Sequence, residues 1–266
     1  MRVLAISIAF VTACSASSSS SPPSAPPEDS PDASSTPAPP PFVSPIDPAS
    51  TQLVTVVSAD WSAVPATLTR YEPKDGAWST VGEPVPVVLG KSGLGWGIGM
   101  KPAPSSDGPT KKEGDGRSPA GVFSLGSAFG YAAPADASFL KLPYLQATTD
   151  LECVDDPASS HYNTLVYRSQ ITTPDWNSSE IMKRPDALYR WGIFVNHNAT
   201  ARTPGGGSCI FLHLWSGPDS ATVGCTAGDE ARMKEVFAWL DPAKHPLIVQ
   251  LPKTAYASLH DAWALP

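Results

Sequence analysis

Positive charge is scarce in this 266-residue chain: 18 Lys and Arg stand against 25 Asp and Glu, for a formal charge of −7. The cations are scattered, without the stripe or block that neutralises successive phosphates, which argues against a nucleic-acid partner. Histidine is scarcer still, with five in all, and His161, His197, His245 and His260 show no paired metal-ligand spacing. No metal site is therefore expected, and no nucleotide cofactor either. Gly90 to Gly99 is not followed by a helical pattern, and Glu113-Gly114-Asp115-Gly116-Arg117 lacks the lysine-hydroxyl pair of a phosphate loop. Both segments read as turns. Long apolar runs are missing as well. The amino-terminal one, Val3 to Val11, falls well short of the about 20 residues that cross a hydrocarbon core.

That short run has another meaning. Met1-Arg2 supplies the positive charge, and Val11-Thr12-Ala13-Cys14 closes the segment with small residues, the layout of an export signal over residues 1–13. The last four residues resemble a bacterial lipobox. The resemblance implies that Cys14 becomes the lipidated first residue of the mature chain, anchored to membrane on the periplasmic or cell-surface side of a bacterial envelope. The alternative is an ordinary signal with an incidental cysteine. From Ser15 to Ser50 the chain has 12 Ser and 11 Pro in 36 positions, with almost nothing apolar to bury. Such a stretch forms no core, and its prolines keep it semi-extended. Residues 14–50 thus read as a lipidated tether, and residues 51–266 as one folded domain.

Within that domain Leu53 to Val57 is a β-branched run suited to a strand, and Thr67 to Glu72 is a second extended segment. Asp75-Gly76 follows as a hairpin turn. Val85 to Leu89 reads as a strand that its proline would place at a sheet edge. One helix is clear: Asp229 and Glu230 open it, Met233, Val236, Phe237 and Leu240 form its apolar stripe, and Asp241-Pro242 stops it. A shorter helix is expected around Ser178 to Arg184, and a last strand over Leu247 to Leu251. The domain is therefore mainly β with few helices.

Four cysteines remain to be placed: Cys14, Cys153, Cys209 and Cys225. If Cys14 carries lipid, three thiols face an oxidising compartment and one is left over after pairing. The run from Cys209 to Trp215 reads as a strand with Cys209, Phe211, His213 and Trp215 on one face. At about 3.3 Å per residue, the Cys209 and His213 backbones lie roughly 13 Å apart, which puts that thiol out of reach. Cys225 follows a Gly/Pro/Asp/Ser loop that can return the chain to the imidazole. Only Cys225 fits a Cys-His couple, in which the imidazole would lower the thiol pKa. A core cysteine beside a hydrogen-bonded core histidine is the alternative on spacing alone.

The stretch His213, Thr222, Val223, Gly224, Cys225 resembles the signature of the L,D-transpeptidase catalytic domain, or YkuD-like family: a histidine at a strand end, a loop, then Ser/Thr-His-Gly-Cys. Pro119-Ala120-Gly121-Val122-Phe123 is similar to that family's upstream Thr-Pro-x-Gly-x-Phe element. The resemblance spans about 51 to 252. It implies a β-sandwich, with Cys225 as nucleophile, His213 as base and Gly224 and Cys225 amides as oxyanion donors, with Thr222 in the same binding turn. It also implies peptidoglycan stem peptides as partners, no cofactor, and acyl transfer through a thioester to an amine. Val223 replaces the motif histidine, and the arginine common after the cysteine is missing from Cys225-Thr226-Ala227-Gly228. The loop from His213 is also short. A sub-branch with Ser/Thr-x-Gly-Cys-x-Ala, which includes hydrolytic members, is closer to this pattern. Water therefore stands as an alternative acceptor, giving a carboxypeptidase or endopeptidase. A catalytically inactive wall-binding module is the third option.

A working Cys225 must lie near His213, and a disulfide needs Cα atoms within roughly 7 Å. Cys209 is then expected to pair with Cys153, leaving Cys225 free. Three reduced cysteines packed apart are the alternative.

Overall fold

The computed structural model describes residues 44–104 and 107–266. The export signal, Cys14 and most of the tether lie outside the described residues. The first described positions already rest on the domain: Ser44 Oγ donates to the Trp263 carbonyl at 2.8 Å and Ser50 Oγ to the His245 carbonyl at 2.7 Å. Residues 44–50, which composition assigns to the tether, therefore belong to the packed body. Among the described residues no helix is long and apolar enough to cross a membrane.

The described residues form fourteen strands and two α-helices, so the domain is mainly β. The first six strands are β1 (Leu53–Ser58), β2 (Pro65–Lys74), β3 (Ala77–Thr80), β4 (Val85–Val88), β5 (Leu94–Trp96) and β6 (Ser118–Gly130). Then come β7 (Tyr144–Gln146), β8 (Leu151–Val154), β9 (Leu165–Tyr167) and β10 (Ser179–Ile181). The last four are β11 (Trp191–Val195), β12 (Phe211–Leu214), β13 (Thr226–Gly228) and β14 (Leu247–Pro252), with α1 (Glu230–Trp239) before β14 and α2 (Lys253–Trp263) after it.

Local chemistry explains several of these elements. Asp75 and Gly76 take φ values of 53° and 82° between β2 and β3, as a two-residue primed turn requires. The Asp229 carboxylate accepts from the Ala231 and Arg232 amides and caps α1, whose Met233, Val236 and Phe237 are buried. Pro86 is not at an edge, because β4 pairs with both β2 and β13. Its missing N–H is tolerated because β13 ends at Gly228, opposite Val87, before it would reach the proline. The Gly90 to Gly99 segment is not turn throughout, since β5 lies within it and pairs in parallel with β6. The helix expected over Ser178 to Arg184 is instead strand β10, which finds its hydrogen bonds on β8. Pairing with a distant strand overrides the weak local preference.

The main sheet runs β1-β14-β6-β11-β12-β13-β4-β2, and β2 also pairs antiparallel with β1 from Leu53↔Tyr71 to Ser58↔Ala66. The path therefore closes into an eight-stranded barrel rather than the two-sheet sandwich expected from sequence. Closure depends on β1 using both edges, one toward β2 and one toward β14, almost two hundred positions away. A pairing that remote leaves no local trace. One large apolar cluster, which includes Leu53, Val56, Phe123, Leu212 and Ile248, packs on the barrel wall.

Strands β10, β8 and β9 form a separate three-stranded sheet. A second apolar cluster, with Phe129, Leu151, Tyr189, Phe211 and Cys225, links that sheet to the barrel wall. The Cys153–Cys209 disulfide ties the two together, with Cα atoms 6.0 Å apart at a sequence separation of 56. Cys225 is the free cysteine among the described residues.

Candidate active site

The site is built on the β12–β13 pair. The alternation of β12 sends Leu212 and Leu214 into the barrel core and leaves Phe211 and His213 on the other face. The strand is shorter than the sequence implies: it starts at Phe211, and Cys209 takes a left-handed φ of 53°. The pairing Leu212↔Thr226 and His213↔Ala227 brings Cys225, one residue before β13, alongside Phe211. The Phe211 amide accordingly donates to Cys225 Sγ at 3.3 Å, and that thiol faces the Cys209 carbonyl at 3.7 Å. His213 and Cys225 thus share one face of the pair and line the same cavity of about 230 Å³.

His213 Nδ1 lies 2.7 Å from the Leu214 carbonyl. A carbonyl only accepts, so Nδ1 carries the proton of the neutral ring and Nε2 is its basic nitrogen. The Tyr189 ring packs edge-to-face on the imidazole at 5.1 Å and helps fix its plane. Burial drives the imidazole down to about pKa 4. Burial also pushes the Cys225 thiol up to about 12, with the nearby Glu180 acting in the same direction. This reverses the sequence expectation: no imidazolium is present to lower the thiol, because the same desolvation that keeps the thiol protonated keeps the imidazole neutral. The resting pair is neutral on both sides.

The turn before the thiol is held by Thr222. Its Oγ1 donates to the Cys225 carbonyl at 2.7 Å and accepts from the Gly224 amide at 3.1 Å. The Gly224 amide is therefore engaged within the turn. The Cys225 amide has no hydrogen-bond partner among the described residues. Gly224 serves by its backbone instead, at φ 153° with an added Cβ only 3.1 Å from the Arg117 carbonyl. Ser118, at the start of β6 and next to Pro119, donates to the Cys225 carbonyl at 2.8 Å.

A second cavity, of about 270 Å³, opens on the other side of the thiol, among Lys111, Asp155, Glu180 and Gly224. Cys225, Glu180, Tyr189 and Val223 border both cavities. Val223, 76% exposed, forms the lip where the motif histidine would stand.

The group that orients His213 is the Leu214 main-chain carbonyl, which residue types cannot reveal. Within the polar segment Asn196-His197-Asn198, both His197 and Asn198 are buried. His197 accepts from the Ile98 amide at 3.2 Å and its Nε2 meets the Gly206 carbonyl at 3.0 Å, which makes it a brace between loops. Asp156 is likewise structural, accepting from the Ala158 and Asn177 amides. Among the described residues no group of three or more His, Cys, Asp or Glu is placed to hold a metal ion. Comparison of the chain with protein-family models, with curated proteins and with solved structures yields no match.

Proposed function

We infer that the chain forms a thioester at Cys225 with peptidoglycan stem peptides and passes the acyl group to an amine, in the manner of the L,D-transpeptidase (YkuD-like) catalytic domain. The observation that carries this reading is a convergence at one cavity. A free thiol, an imidazole held by a carbonyl through Nδ1, and an unpartnered Cys225 amide all meet there. His213 Nε2 takes the thiol proton as sulfur attacks the substrate carbonyl, so the ion pair forms during the reaction rather than before it. The Cys225 amide receives the developing oxyanion. The imidazolium then gives its proton to the departing D-alanine amine. No metal or organic cofactor enters these steps.

On this reading the mainly β body is the family's catalytic domain, and lipid on Cys14 with the Ser/Pro tether holds it at the bacterial cell envelope. A catalytically inactive wall-binding module is the second reading. The burial of Cys225, 5% exposed with its thiol pushed up, favours it, since an inert core cysteine has the same character.

Mass spectrometry of the full chain, expressed with export and exposed to a carbapenem, separates the two. The acyl-transfer reading expects one adduct per chain, lost in Cys225→Ala, and a lipid on the amino-terminal Cys14 peptide. An adduct that persists in Cys225→Ala, or none in the parent chain, defeats it.

A further inference from the structure

The three-stranded sheet takes no part in the barrel, yet it carries a carboxylate to the thiol. Glu180 on β10 pairs with Cys153 on β8, and Cys153 is bonded to Cys209, whose carbonyl lies 3.7 Å from Cys225 Sγ. Glu180 thereby stands on the wall shared by the two cavities. Its Oε1 accepts from the Tyr189 hydroxyl at 2.7 Å and from Arg184 Nη1 at 3.4 Å. Its Oε2 has no hydrogen-bond partner among the described residues, and the side chain is 29% exposed.

The second cavity holds another such oxygen, Asp155 Oδ1, buried without a partner. Other charges there are already committed. Lys111 Nζ donates to Asp115 and to the Lys112 carbonyl, both at 2.7 Å, and Glu113 accepts from Tyr162 and Ser208. The cavity beside the thiol therefore offers the uncommitted Glu180 Oε2, with Asp155 as a second carboxylate in its lining. An ammonium group, with three N–H donors and a positive charge, matches this negatively charged lining, whereas water brings hydrogen-bond donors but no charge.

We propose that Glu180 makes this an amine-accepting site, binding the ammonium of the acyl acceptor in the second cavity and removing the proton that blocks its attack. The proposal rests on the acyl-transfer reading and names the acceptor for it. One ammonium proton passes to Glu180, freeing the nitrogen lone pair. The nitrogen attacks the Cys225 thioester carbonyl, a C–N bond forms, and the C–S bond breaks to expel the thiolate. A second proton leaves the nitrogen through His213 for that thiolate, and Glu180 releases its own to solvent. The sum is thioester plus ammonium giving amide, thiol and one proton. Burial holds the Glu180 carboxyl above the ordinary carboxylate range, which suits it to accept a proton from a bound ammonium.

The test is partitioning in the full chain, with a stem peptide ending in D-alanine as donor. The acceptors are water, D-alaninamide, an ammonium at neutral pH, and hydroxylamine, which is uncharged there. Glu180→Gln keeps a carbonyl oxygen for the Tyr189 hydroxyl. In this variant we expect transfer to D-alaninamide to fall by about 10²-fold relative to hydrolysis, while transfer to hydroxylamine stays within about threefold. Asp155→Asn, outside the Tyr189 and Arg184 contacts, should raise the KM for D-alaninamide more than that for hydroxylamine. An unaltered amine-to-water ratio in both variants, or equal loss with both amines, overturns the role of Glu180. A parent chain that forms no thioester with the donor fails the acyl-transfer reading itself, and the proposal with it.

Discussion

At Cys225, burial and proximity pull in opposite directions. A thiol next to an imidazole is ordinarily expected to ionise, but here the thiol is pushed up to about 12 and the imidazole down to about 4, each chiefly by burial. On the acyl-transfer reading, the histidine supports no standing thiolate and acts by removing the proton during attack. His213→Gln should therefore lower the rate of acylation by a carbapenem by about 10² to 10⁴-fold, the range for a lost general base. The pH profile of alkylation by iodoacetamide should be nearly unchanged, because desolvation rather than an imidazolium sets the thiol. In both proteins that rate should keep climbing through the alkaline range as thiolate accumulates. A parent profile that levels off near neutrality, and loses that plateau in His213→Gln, would establish a preformed ion pair instead.

At the scale of elements, the disulfide links one strand of the small sheet to the residue that flanks the thiol. Cys153 lies on β8 opposite Glu180, and the Cys209 amide is held by Asn163 Oδ1 at 3.0 Å. Removing the bond in Cys153→Ala/Cys209→Ala should cost up to about 4 kcal/mol through the 56-residue loop it closes. It should also loosen β10, so that transfer to an amine drops more than thioester formation does. Urea unfolding reads the first effect and product partitioning the second. Equal activity losses in both half-reactions would mean that the bond supports only the fold.

How much of this was legible beforehand depends on the range of the interaction. The Asp75-Gly76 turn and the Asp229 cap are local, and residue types alone mark them. The placement of His213 and Cys225 on one face follows from strand alternation and a short loop. The register of β10 on β8, the closure of β1 onto β2, and the Leu214 carbonyl under the imidazole are not encoded by residue type at a fixed spacing. Glu180 was invisible for that reason: its segment reads as a weak helix until β8 supplies the pairing. His197 shows the converse, a polar segment whose buried partners, Gly206 and Ile98, lie on other loops.

For the molecule as a whole, the two buried histidines set how the fold meets acid. His197 and His213 are each held near pKa 4 against an ordinary value of 6.5, principally by burial. A folded pKa below the unfolded one means that the unfolded chain binds protons first as pH falls. Stability contributed by neutral histidine is therefore complete above about 6.5 and is lost progressively toward 4. Glu180 acts with the opposite sign, since its raised carboxyl takes a proton in the fold before it would in the unfolded chain. The net slope near pH 5 should thus lie between one and two protons, at about 1.4 kcal/mol per pH unit for each. The charged neighbours of His197 are Lys111, which disfavours its protonation, and Asp115, which favours it; the pair is joined at 2.7 Å, so their effects largely offset. Urea unfolding of the full chain at pH 7.5, 6.0 and 5.0 measures the slope, and His197→Gln should flatten it by about one proton. A stability that stays level across that window, or one that rises toward acid, would mean that the two imidazoles are not held neutral by the fold, and the neutral resting pair at Cys225 would fall with them.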